Sequence, residues 1–291
     1  MIRNFENQDI EFLQQQDFVA SLELQYHKDV VPSSAVTATD SSGKCRGILY
    51  LKEHFTFSAK HSELQRIVPC IFTEDDGCFS ELLEYAKAWC DERAALYPDK
   101  RVCLSAWVND DEHAVQQLYM KSGFMAYSVC PCLGYDLTGG IEKCEVPEGM
   151  LIRKIEFAPE DVDRYIAATA LANDGDSDSA NELWFMQGGG SYSIYALTEN
   201  GNIASSASSW KITDEQAAIE NIFSTPDYRR RGLVRTIILH TLEMIKSDGY
   251  KLATLGMQGR NLAAMKLYES LGFTLQYNQI EMVYLPTQNR K

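Results

Sequence analysis

Residues 226–235 read Pro-Asp-Tyr-Arg-Arg-Arg-Gly-Leu-Val-Arg, so four arginines (Arg229, Arg230, Arg231, Arg235) crowd around one glycine, Gly232. An apolar stretch ending in Ile222-Phe223-Ser224 precedes them. Val234, Ile237, Ile238, Leu242 and Ile245 follow at helical spacing. A strand, a short loop turning on glycine and a helix N-terminus make an anion site, because backbone N–H groups converge there and the helix dipole adds partial positive charge. The arginines add whole charges. The loop matches neither G-x-x-x-x-G-K-[ST] nor G-x-G-x-x-G, which disfavours nucleoside triphosphates and dinucleotides. A solvated basic loop is the ordinary reading of an isolated Arg-Arg-Arg, but the strand–loop–helix setting argues against it.

The elements that position this loop belong to a repeat. Residues 261–273 (NLAAMKLYESLGF) and 112–124 (EHAVQQLYMKSGF) share Ala, Leu, Tyr, Gly and Phe in register, and each ends at a glycine suited to a helix C-terminus. In the second half the pattern predicts strands at 151–155, 193–198, 203–210, 217–224, 252–257 and 275–285. Helices are predicted at 159–172, 233–246 and 261–271, the last capped by Asn261. Glu199-Asn200-Gly201-Asn202 is a strong hairpin turn. The first half repeats the order loosely, with strands at 35–39, 47–51, 65–72 and 102–108 and a helix at 79–93. Residues 138–149 carry glycines and end in Pro-Glu-Gly, which places a linker there. The expectation is two tandem α/β domains of similar topology, 1–138 and 147–291.

The chain has 291 residues with 27 Lys plus Arg against 41 Asp plus Glu, a formal net charge of −14. That balance argues against nucleic acid as the main partner, since phosphate neutralisation needs a basic footprint. It favours a cationic one. The excess is uneven: residues 1–145 hold 13 basic and 23 acidic side chains, and residues 146–291 hold 14 and 18. No apolar run reaches the roughly 18 residues of a membrane span, so no membrane partner is expected. Met1-Ile2-Arg3-Asn4-Phe5-Glu6 leads straight into polar sequence, and all eight cysteines lie in the first half with no Cys-x-x-Cys. A cytoplasmic chain with reduced thiols and no metal site is the expectation. Asp174-Gly175-Asp176-Ser177-Asp178-Ser179 lacks the glycine and glutamate of a calcium loop, because Ser179 and Phe185 stand in their places. It reads as a solvated acidic loop or as one that borders a cationic ligand.

Arg229-x-x-Gly232-x-Val234 resembles the acetyl-CoA signature [QR]-x-x-G-x-[GA] of the GNAT superfamily of N-acetyltransferases, departing at Val234. Asn261-x-x-Ala264-x-x-Leu267-Tyr268-x-x-x-Gly272-Phe273 matches that family's downstream helix. The resemblance covers the second half well and the first half weakly. It implies an α/β chain of α+β type built from two tandem GNAT-like domains, each a mixed, mostly antiparallel sheet flanked by helices. It also implies acetyl-CoA as cofactor, with CoA as product. Amides of Arg230, Arg231, Gly232, Leu233, Val234 and Arg235 would cradle the pyrophosphate, with Arg229 and Arg235 as nearby charges. Ile222, Phe223 and Ser224 would pair with the pantetheine arm, and Asn261 would hydrogen-bond it. Tyr268 holds the general-acid position, with packing as its other reading. Glu220, placed by alternation on one face with Ile222 and Ser224, is the candidate base, with a surface carboxylate as its other reading.

Aligning Gly77 with Gly232 sets Glu74-Asp75-Asp76 where the arginines stand and Phe79 at Val234, a pattern that repels a pyrophosphate. Domain one is therefore expected to be a degenerate scaffold, with Tyr119 structural. The leading expectation is an acetyl-CoA-dependent N-acetyltransferase whose second domain acts on a small-molecule or peptide amine, cationic in character. A non-catalytic acyl-CoA sensor and a mycothiol-synthase-like acetyltransferase are the alternatives. The acceptor's identity and the oligomeric state are not legible.

Overall fold

The computed structural model describes residues 1–27, 29–54, 64–143, 145–175, 177, 179–188 and 191–286. The first half runs β1 (Ile2–Asn4), α1 (Ile10–Gln16), α2 (Phe18–Tyr26), β2 (Val36–Thr39), β3 (Cys45–His54), β4 (Leu64–Phe72), α3 (Asp76–Leu96), β5 (Arg101–Asn109), α4 (His113–Lys121) and β6 (Met125–Asp136). The second half runs β7 (Met150–Lys154), α5 (Pro159–Ala172), α6 (Ala180–Gly188), β8 (Ser193–Glu199), β9 (Asn202–Lys211), β10 (Gln216–Ser224), α7 (Leu233–Ser247), β11 (Leu252–Gly256), α8 (Leu262–Leu271) and β12 (Thr274–Tyr284).

Local chemistry accounts for the boundaries around the loop. Asn200 and Gly201 both take positive φ (51° and 81°), as a two-residue hairpin turn requires, and β8 and β9 pair across them. Leu233, Ile237, Ile238, Leu242 and Ile245 of α7 are buried along one stripe, and the helix stops before Gly249 at φ 95°. The Asn261 side chain accepts from the Ala264 amide at 3.1 Å, and Gly272 closes α8 at φ 99°.

Two compact units result, Met1–Ser128 with the stretch starting at Gln279, and Val129–Asn278. In the first, β1, β2, β3 and β4 form an antiparallel run, β5 joins β4 in parallel, and Gln279–Tyr284 of β12 pairs antiparallel with β5. In the second, β7 to β10 form the antiparallel run, β11 joins β10 in parallel, and β6 pairs antiparallel with β11. The strand order is the same in both. The expected division at residues 138–147 differs from this one: the units part inside β6 and inside β12, because each sheet takes its last strand from the other half of the sequence. The 138–149 segment is also more than a linker, since Ile141 packs on the core of the second unit. Sequence patterning missed β1, α1, α2, β6 and α6.

Each sheet carries helices on both faces. In the first unit Leu82, Leu83, Ala86 and Cys90 of α3 pack on Leu49, Leu51, Ile67 and Leu104, while Leu13 and Ala20 cover Ile48 and Tyr50 on the other side. In the second unit α7 and α8 bury one face with Ala217, Ile219, Ala253 and Leu255, and α5 and α6 cover Ile194, Ala196 and Phe223 on the other. None of the helices among the described residues is long and apolar enough to cross a membrane.

A buried charge pins β12 into the first unit. Glu281, 1% exposed, accepts from Arg66 Nε at 2.6 Å, Ser105 Oγ at 2.7 Å and Ser128 Oγ at 2.6 Å. Burial alone would raise its pKa, but the hydrogen bonds from Arg66, Ser128 and Ser105 outweigh burial and hold the carboxyl below its ordinary value. Its stabilisation is therefore complete above the unfolded value of about 4.3 and fades as pH falls through the lower folded one. Glu281→Ala takes away the carboxylate that balances the half-buried Arg66 charge and should cost about 3 kcal/mol in urea unfolding, with a smaller loss for Glu281→Gln. Equal stability for all three would remove this pair from the list of supports.

Candidate active site

β10 and β11 pair in parallel from Gln216↔Leu252 to Ala218↔Thr254 and then part. β11 stays with β6: Gly256 faces Cys132, the Met257 amide donates to Pro131 O at 3.1 Å, and the Gly259 amide donates to Val129 O at 3.1 Å. A Cβ at Gly259 would stand 2.7 Å from Val129 O, so only glycine allows this approach. β10 meanwhile bulges. Glu220 pairs with Ser208 and Phe223 with Ser206, so β10 holds one extra residue, and Asn221 takes φ 47°. Asparagine tolerates that left-handed geometry better than most residues. A gap opens between the two strands.

The bulge overturns one expectation. Ile219 and Ile222 both pack toward α7 and α8, whereas Phe223 packs toward α5 and α6. Glu220 shares the register line of Ser208 and Ile194, the α5–α6 side. It is therefore on the face of Phe223, not that of Ile222 and Ser224, because the extra residue inverts the alternation. Glu220 is exposed and follows shortly after Ala218, the last position at which β10 pairs with β11.

Beyond β10 a short 3-10 turn (Pro226–Tyr228) leads to Arg230 at φ 61° and Gly232 at φ 79°, and Gly232 is the N-cap of α7. The first amides of a helix have no partner inside it, so the N–H groups of residues 232–234 lie at its positive end, while the Arg235 amide closes back on Gly232 O at 3.0 Å. A cleft of about 610 Å³ opens there. Ile222, Phe223 and Ser224 form one wall, Arg229, Arg230 and Gly232 to Arg235 the end, and Asn261, Ala264, Leu267 and Tyr268 of α8 the other wall. The structure thus brings together every residue expected to bind the anion except Arg231, whose guanidinium lies over the Tyr228 ring at 5.2 Å. Ala172, Asn173 and Tyr228 also line the cleft and escaped sequence reasoning. Tyr228 had one signal, its place directly before the arginines, whereas Ala172 and Asn173 reach the cleft only through tertiary folding.

The arginines are not equivalent. Arg229 donates from Nη2 to Ala172 O at 2.8 Å and from Nε to Ser224 O at 3.3 Å, so it ties the end of α5 to the end of β10. Arg235 donates to Glu142 at 2.5 Å and to Ser270 Oγ at 3.3 Å. Val234 is half-buried, lining the cleft while packing on the core. Asn261 commits Oδ1 to its cap, which leaves its amide nitrogen as the end able to donate to a ligand. Tyr268 is buried with its ring 5.9 Å from Phe273, and burial raises the phenol above its ordinary pKa. It stays protonated at neutral pH and can give a proton.

The first unit lacks this chemistry at its corresponding turn. The Asp75 side chain caps α3 by accepting from the Cys78 amide at 2.8 Å and pairs with Arg46 at 2.5 Å. Gly77 lies inside the first helical turn without positive φ, and Phe79 stacks edge-on against Tyr119 at 5.6 Å. Asp176 and Asp178 of the acidic loop lie outside the described residues. Among the described residues no cluster of three His, Cys, Asp or Glu is arranged to hold a metal.

Residues 160–273 match the acetyltransferase (GNAT) family. The [ribosomal protein bS18]-alanine N-acetyltransferase of Escherichia coli K12 is 39% identical over 82 residues, covering 28% of this chain and 55% of that protein. An L-amino acid N-acyltransferase of the same organism is 26% identical over 112 residues, covering 36% of this chain and 65% of that protein. The chain thus spans little more than half the length of the first of these relatives. Among solved structures, a tandem GNAT protein from the clavulanic acid biosynthesis pathway superposes with a TM-score of 0.66 at 12% identity over 98% of both chains. A GCN5-related N-acetyltransferase from Sphaerobacter thermophilus gives 0.59 at 14% identity over 98% of this chain and 95% of that one. At such identities the likeness is one of fold.

The parting of β10 and β11 yields a prediction. Gly259→Ala forces a Cβ onto a backbone oxygen and should destabilise by roughly 2 kcal/mol, the usual scale for overpacking. Thermal unfolding checks it, and an unchanged midpoint would show that β11 does not depend on this close approach.

Proposed function

We propose, from the match of residues 160–273 to the GNAT acetyltransferase family, that the second unit moves an acetyl group from acetyl-CoA to a primary amine by direct transfer. The observation that carries the reading is a cleft walled by the end of β10 that has parted from β11 and by α8, closed by a helix N-terminus rich in arginine. The residues present fit the group: Gly232 at φ 79° turns its neighbours' amides toward an anion, where an L side chain would be strained. When bound, acetyl-CoA supplies the acetyl group as a thioester. Amides of residues 230–235 would hold its pyrophosphate. The main chain of Ile222, Phe223 and Ser224 would pair with the pantetheine arm as an added strand does. Asn261 would donate its side-chain amide to the same arm.

Proton traffic falls to two side chains on opposite faces of the sheet. Glu220, on the α5–α6 face, would take a proton from the incoming ammonium through water. Tyr268, on the α8 face, would give its hydroxyl proton to the leaving thiolate, whose conjugate thiol has a pKa of about 8.5, and would be restored by the second proton that the nitrogen sheds as the amide forms. The gap between β10 and β11 would let the two groups act on one reacting centre. The acceptor is a small-molecule or peptide amine, and the relatives that act on a ribosomal protein's alanine recommend a peptide beginning with Ala in the first panel. A carboxylate at the gap suits a cationic amine.

Millimolar acetyl-CoA should raise the melting temperature, and no rise would sink the assignment of the cleft. Release of free CoA thiol over a panel of amines separates an enzyme from an acyl-CoA sensor, which binds without turnover. Tyr268→Phe should lower kcat at least about tenfold with CoA affinity nearly unchanged. With the wild type, rate should climb with pH as the amine loses its proton and hold up to about 10, because burial lifts the Tyr268 phenol above that ordinary value. An unchanged rate in Tyr268→Phe would return the tyrosine to packing.

A further inference from the structure

One cleft arginine already holds an anion from within the chain. Arg229 bonds to neutral carbonyls and Arg231 lies over a ring, but Arg235 Nη2 meets the Glu142 carboxylate at 2.5 Å. Glu142 comes from the segment that follows β6. That segment has three other anchors: Lys246 at the far end of α7 donates to Gly139 O, the Tyr135 hydroxyl donates to Gly140 O at 3.4 Å, and Ile141 packs on the core. The segment is a strap that contacts both ends of α7, at Lys246 and at Arg235, and it delivers the Glu142 carboxylate to Arg235.

We propose that Glu142 is a resident competitor for the anionic end of CoA: it occupies Arg235 in the free protein and gives it up to a cofactor phosphate. This rests on the reading of the cleft as a CoA site. Carboxylate and phosphate use the same fork of guanidinium N–H groups, so Arg235 cannot serve both fully. The exchange is easy in energy. Both side chains are open to solvent, at 30% and 59% exposure, and such a pair is worth at most about fivefold in an equilibrium. A phosphate carries more charge than the carboxylate it displaces. The other anchors do not involve Glu142, so the strap keeps its place when the carboxylate swings away and returns it when the cofactor leaves. Glu142 thereby sets cofactor affinity below what the arginines alone would give, which favours release of the product.

Isothermal titration of CoA and of 3′-dephospho-CoA at low salt tests this on the full chain, with Glu142→Gln, Arg235→Gln and the double variant beside the wild type. Glu142→Gln should bind CoA about threefold to fivefold more tightly, the scale of the pair it removes. That gain should vanish in the Arg235→Gln background and shrink at 0.5 M salt, roughly as screening requires. Tightening toward CoA alone assigns Arg235 to the 3′-phosphate, and tightening toward both ligands assigns it to the pyrophosphate; either supports the competition. Equal or weaker binding by Glu142→Gln, with its melting temperature intact, overturns it while leaving the cofactor site in place. A wild type that binds neither ligand overturns the cofactor reading itself.

Discussion

The second unit depends on two strands that begin as a parallel pair and cannot stay together. β11 is committed to β6 by main-chain hydrogen bonds that continue to Gly259, and β10 is turned by an extra residue at Asn221. Backbone polar groups in a sheet seek partners, so a strand edge released in this way is a place for something extended to bind. The cleft, the arginine-rich helix start and the exposed glutamate all take their positions from that parting. Were the pair to zip up to Ser224, the cleft would lose a wall.

The first unit shows that the sheet alone does not make a site. Its β4 and β5 also pair in parallel over four positions, Leu64↔Arg101 to Ile67↔Leu104, before β5 continues with β12. What differs is the turn into the next helix. There Asp75 uses its side chain to satisfy the helix start, and Phe79 fills the space against Tyr119. A helix end that caps itself with a carboxylate has no use for an external anion. Shared topology and divergent chemistry therefore coexist in one chain.

The legible parts of the sequence were those under local control. Glycines at φ 79°, 95° and 99° bound α7 and α8, Asn261 caps as its type suggests, and Asn200-Gly201 turns as its pair demands. The cleft residues were readable because loop and helix start are contiguous in sequence. Glu220 was misplaced because alternation counts residues and cannot see an inserted one; Asn221 in mid-strand was the sole hint. The partners of Arg229 and Arg235 were invisible, since Ala172 and Glu142 reach them only through tertiary folding. The division into units escaped for the same reason, because nothing local says that residue 281 pairs with residue 107.

The traded strands have a consequence for how such a chain comes off the ribosome. Synthesis is vectorial, and domains usually close as they emerge. Here the earlier unit has its first five strands while Gln279–Tyr284 does not yet exist, so the β5 edge must wait until the chain has been made as far as Tyr284. β6, by contrast, is made before any strand it will pair with in the later unit. Contacts this distant in sequence are slow to form. Neither half can finish ahead of the other, and the chain matures as one cooperative object although it reads as a duplication.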